Sequence, residues 1–123
     1  MYNYNSTWIG LAKKSWIPNS MSLEEITQQL WEASENKKGC RISLDGEPLP
    51  RTICPYGVCT TSRNQIVLVC WQTFGFTKAG GKEGYRNLQL ERIAELEILD
   101  SHFQKQADFN PNDGQYKDWV FHI

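Results

Sequence analysis

The hydrophobic period changes at Gly39, and that change limits what this chain can build. Before it, in "MSLEEITQQLWEASENKKG", Leu23, Ile26, Leu30 and Trp31 recur at helical spacing and make one stripe apolar. Both helix ends are marked. Ser22 is a good N-cap, Glu25 completes a capping box, and Met21 and Ile26 take the positions of a hydrophobic staple. Lys37 and Lys38 suit the negative end, and Gly39 is placed to close the helix in the left-handed conformation. After Gly39 the period is two. "CRISL", "RTICPYGVCTT", "QIVLVCWQTF", "YRNLQL" and "IAELEIL" read as short strands divided by turn chemistry such as "DGEPLP" and "SRN". The second is expected to bend or bulge at Pro55 and Gly57, because proline cannot donate to a ladder. The third is the most apolar and is expected at the centre. One helix before about five strands implies a mainly β chain, a small bent barrel or half-open sheet with the helix packed on it.

A length of 123 residues suits one compact domain. Residues 1–21 read as an arm, 22–103 as the helix and β body, and 104–123 as a tail whose "WVFHI" is a strand or docking segment. No apolar run reaches the roughly 18 residues of a membrane helix, and "MYNYNSTWIGLAKKSWIP" lacks the pattern of a signal peptide. The expectation is a cytoplasmic protein with no membrane partner. Cys40, Cys54, Cys59 and Cys70 lack the paired spacing of a zinc site, so reduced structural thiols are expected, with no metal and no cofactor.

Net charge is only −1, but residues 37–92 carry +5 between an acidic start and an acidic end. A basic middle is the pattern expected where an anion is held; a solvated face of mixed charge is the alternative. Within it, "GFTKAGGKEGY" is not a phosphate cradle, because Lys82 precedes Glu83 and the segment beyond alternates like a strand. The loop instead reads as a hairpin connection, with Gly80, Gly81 and Gly84 supplying positive φ angles, and as the lip of a binding site. Alternation sets Arg86, Leu88 and Leu90 on one face and Tyr85, Asn87, Gln89 and Glu91 on the other. Arg86, on the apolar side, needs water, an anionic ligand, or a carboxylate such as Glu91, Glu95 or Asp100.

The order "PLPRTICPYGV", "NQIVLVCWQ", "YRNLQLERIAELEILDSHF" resembles the WYL domain of bacterial transcription regulators. Arg51 and Pro55 match that family's strand ahead of the central one. Leu68 matches the third letter of its name-giving motif, and Arg86, Leu88, Leu90, Arg92, Ile93 and Phe103 match its closing segment. Ile66 and Val67 stand where the family has Trp and Tyr, with Trp71 available as a substitute, and no helix-turn-helix is expected ahead of the domain. The resemblance implies an Sm-like barrel of about five strands that senses an anionic ligand, a nucleotide or single-stranded nucleic acid, and controls a regulatory protein partner. It points to Arg51, Arg86 and Arg92, with Tyr56 as stacking partner; Trp71 and the loop lysines Lys78 and Lys82 complete the expected ligand set.

The alternative is an interaction module or homodimer in which the helix, arm and tail form the contact and the arginines pair internally. No enzyme is expected: nothing in the spacing links Cys54 or Cys59 to His102 or His122, and Glu95 and Glu97 alternate on a solvated strand face.

Overall fold

The computed structural model describes residues 21–77 and 81–123. These residues form one helix, α1 (Leu23–Glu35), and six strands: β1 (Lys38–Leu44), β2 (Arg51–Thr61), β3 (Ile66–Gly75), β4 (Gly84–Gln89), β5 (Ile93–His102) and β6 (Tyr116–His122). A 3-10 turn, Leu90–Arg92, joins β4 to β5. The capping box forms as the sequence implies: the Ser22 hydroxyl accepts from the Glu25 amide and the Glu25 carboxylate from the Ser22 amide. The helix closes differently. Lys37 takes the left-handed conformation, φ 54°, while Gly39 already lies in β1, and the last turn holds no basic residue.

The strands form one antiparallel sheet in the order β4-β3-β2-β1-β5, with β6 added to β2. Of the expected small barrel or half-open sheet of about five strands, the described residues form an open sheet of six. The sixth strand comes from the tail: β6 pairs with β2 from Gly57 to Thr61, beyond the stretch of β2 that pairs with β1.

A bulge in β2 decides which side chains face where. Pro55 pairs with Cys70 and Gly57 with Val69, so Tyr56 is the extra residue. Cys54 and Tyr56 therefore both face one side, and the parity flips so that Ile53 and Val58 share the other. The freed geometry lets the Pro55 carbonyl accept from the buried Ser34 hydroxyl of α1 at 3.0 Å. Gly57 has to be small, since a Cβ there would lie 2.5 Å from the Phe121 carbonyl.

Two cores result. On one face α1 lays Ile26, Leu30 and Ala33 over Cys40, Ile42, Leu44, Ile53, Val58, Leu68, Cys70, Leu88, Leu90 and Ile93. Trp31 is not in that stripe; it stays 46% exposed and stacks on Phe121 of β6 at 6.2 Å. On the other face Cys54, Tyr56, Cys59, Val67 and Val69 lie under Phe103, Phe109, Tyr116, Trp119 and Ile123. The chain after β5 thus serves as the second cover of the sheet.

Candidate functional site

The β1–β2 turn, the start of β2, the end of β3 and the 3-10 turn meet at one end of the helix-covered face. Arg51 opens β2 there with its side chain inward and 6% exposed. Its Nε and Nη2 donate to the two carboxylate oxygens of Glu47 at 2.9 and 2.7 Å, a bidentate pair, and the Glu47 side chain is only 2% exposed. Nη1 donates to Gln72 Oε1 at 3.1 Å, and Gln72 Nε2 donates to the Phe76 carbonyl. The Phe76 ring lies 5.7 Å beneath the guanidinium. Burying this charge is tolerable because its donors are met on every side.

Arg92 approaches the same carboxylate. Its Nη2 donates to the Asp45 carbonyl at 2.6 Å and lies 3.9 Å from Glu47 Oε2, with a third of its side chain exposed. Arg86 sits across the sheet from Cys70, two residues from Gln72 along β3. It donates to the Tyr85 carbonyl at 2.9 Å and to the Lys82 carbonyl, tying the end of the glycine loop to β4. Among the described residues no carboxylate lies within 4 Å of Arg86, and residues 1–20 and 78–80 contain no Asp or Glu. Burial drives the Cys70 thiol strongly upward, against a smaller downward pull from both Arg51 and Arg86. Two arginines, Arg51 and Arg92, thus meet at the one carboxylate of Glu47, while Arg86 stands on β4 opposite Cys70.

The remaining expected ligand residues fall elsewhere. Tyr56 is 1% exposed; its ring is stacked on Phe103 at 5.8 Å, and its hydroxyl accepts from the Gln106 amide at 2.8 Å. A stacking role for Tyr56 is corrected on this geometry, because no ring face is open to a base. Arg51 is likewise withdrawn as a direct contact, since Glu47, Gln72 and Phe76 enclose it. Trp71 is half-buried on the aromatic face, edge-on to Tyr85 at 5.0 Å, with Nε1 donating to Glu83 at 3.0 Å. Lys82 is exposed, and Lys78 lies outside the described residues. None of Glu91, Glu95 or Asp100 pairs with Arg86, and Glu97 pairs with Arg41 at the surface. Of the loop glycines, Gly75 has positive φ, 109°, whereas Gly81 and Gly84 do not, and Gly80 lies outside the described residues. A side chain at Gly75 would strike the Pro50 carbonyl.

Glu47 is the residue that sequence reading missed. It sits in turn chemistry, where acids are ordinarily solvated; its four-residue spacing from Arg51 was the available signal. Arg92 keeps a third of its side chain exposed beside the buried Arg51–Glu47 pair, and Arg86 and the exposed Lys82 lie together at the start of β4; positive groups of this kind suit anion binding. Burial raises the thiols of Cys54 and Cys59 to about 11 and of Cys40 to about 12, so these cysteines are poor nucleophiles near neutral pH. Among the described residues no cluster of His, Cys, Asp and Glu could hold a metal, and no helix is long and apolar enough to cross a membrane. No family model matches this chain, and no curated protein matches it.

Proposed function

We propose that this chain is a non-enzymatic, cytoplasmic module that binds an anionic ligand, a nucleotide or single-stranded nucleic acid, in the manner of a WYL-like regulatory domain with an Sm-like fold. One observation carries the reading: Arg51 and Arg92 share the single carboxylate of Glu47, and Arg86, on the neighbouring strand β4, has no carboxylate within 4 Å among the described residues. A phosphate group neutralises such an excess with charge-assisted hydrogen bonds, which Arg forms better than Lys. The strand order, with the helix packed over β1 and β2, supports the barrel-like part of the reading. Four free, buried cysteines suit a reducing compartment.

The experiment is a thermal-shift series against nucleoside mono-, di- and triphosphates, inorganic pyrophosphate and short oligonucleotides. A ligand at about a hundredfold excess over its Kd stabilises the fold by about 2.7 kcal/mol. A flat response across all of these would remove the proposal and leave an interaction module with an internally paired arginine cluster.

A further inference from the structure

A second candidate site opens on the outer side of β4 and shares Arg86 with the arginine corner. Tyr85, Arg86 and Asn87 all line one cleft of about 330 Å³, opposite Asp108, Phe109, Asn110, Asp113, Gln115 and Tyr116. Consecutive residues of a strand point to opposite faces, so three in a row can border one space only along the strand's edge. That edge is the outer side of β4, which is last in the sheet and pairs only with β3 among the described residues. The far wall is the segment leading into β6, held in place by Tyr85 donating to Asp108 at 2.6 Å and Asn87 donating to Gln115 at 2.8 Å.

The chemistry of the cleft is acceptor-rich. Asp108 spends one oxygen on Tyr85, and Asp113 spends one on the Gln115 amide. Their other oxygens, with the Asn87 side-chain oxygen, make no hydrogen bond among the described residues. Arg86 is the single cation of the lining, and its guanidinium is turned back onto carbonyls of its own strand and loop. Phe109 and Tyr116 supply apolar walls, and Phe109 already carries the Lys105 ammonium 6.0 Å from its ring centre. A strand edge with no further partner among the described residues, two acids and aromatic walls select the same occupant.

We propose that the outer edge of β4 accepts an extended, lysine- or arginine-bearing segment of a partner protein, which adds one strand to the sheet. Backbone hydrogen bonds along β4 give the addition its direction, and a basic side chain reaches Asp108 and Asp113 along the aromatic wall. The site adjoins the arginine corner through Arg86 but does not rest on the anion reading: its ligand has the opposite charge and approaches the strand edge rather than the helix-covered face.

A labelled short peptide alternating lysine with valine tests this by fluorescence anisotropy on the full chain. Binding is expected to saturate and to disappear when alternate peptide nitrogens are methylated, or when glutamate replaces lysine. Asp108→Asn and Asp113→Asn keep an acceptor for Tyr85 and Gln115, so the fold is retained, and each should weaken binding by about tenfold or more. Three results overturn the proposal: no binding of the lysine peptide, equal binding of the methylated form, or unchanged affinity in both variants. Displacement of the peptide by spermidine at comparable concentration also overturns it, by showing that the amine alone is the ligand. Because Arg86 borders both sites, the titrations are run without nucleotide, and each outcome then reads on the strand edge alone.

Discussion

The two faces of this sheet are covered by different means. On the helix side an amphipathic helix with a marked start lays down aliphatic side chains, and one buried ion pair closes the end of the sheet. On the other side the cover is mostly irregular chain, fixed by interlocking rings: Tyr56 meets Phe103 and Phe109, Phe109 meets Trp119, and Trp119 meets Tyr116. Aliphatic packing tolerates gradual change, whereas a ring cluster over loop chain depends on a few large contacts. A small sheet needs both of its faces covered to be stable, and here the second cover arrives last in sequence.

Several changes would break or sharpen that contrast. The largest effect is expected from removing residues 104–123, which strips β6 from β2 and uncovers Tyr56, Val67 and Val69. Urea unfolding followed by far-UV circular dichroism should then lose its cooperative transition; a retained sharp transition would mean the helix-side core suffices. Next comes Glu47→Ala, which orphans the buried Arg51 and should cost about 3–5 kcal/mol in the same assay. The paired change Glu47→Leu with Arg51→Met should recover most of that loss, because two apolar chains can replace a buried ion pair.

On the aromatic face Tyr56→Phe keeps the ring but strands the Gln106 amide, at an expected cost of about 1–3 kcal/mol. A cost near zero would mean water reaches that amide and the cover is looser than its contacts indicate.

Both faces share one response to alkali. Burial holds the thiols of Cys40, Cys54 and Cys59 above their ordinary value of 9.0, so the folded protein keeps protons that the unfolded chain releases. Their contribution is complete below about pH 9 and is lost as pH rises through about 11 for Cys54 and Cys59 and about 12 for Cys40. Unfolding midpoints measured from pH 7.5 to 10.5 under reducing conditions should be flat at first and then decline; a midpoint that rises with alkali would contradict this burial.

The helix start, the strand order along the chain and the β2 bulge were all legible, because capping, period and proline are local signals. Sheet openness was not, since closure depends on whether distant edges meet. The aromatic face misled for a physical reason: the composition that makes Tyr56 and Trp71 good stacking platforms also makes them good core. Only the pairing of β6 with β2, a contact between distant parts of the chain, shows which use prevails. The arginine corner was half legible. Arg86 and Arg92 keep exposed surface, as the sequence implied, whereas the partner that encloses Arg51 came from a turn that read as solvent-facing.

The excess of guanidinium over carboxylate at that corner is tested most directly by titrating a labelled single-stranded oligonucleotide into wild type and Arg86→Ala at 50 and 200 mM salt. Binding to the wild type should weaken steeply as salt rises, through release of counterions from the neutralised phosphates. Arg86→Ala should bind at least tenfold more weakly at the lower salt while keeping the wild-type unfolding midpoint. Affinity indifferent to salt, or identical in the two proteins, would show that the corner carries no usable positive charge.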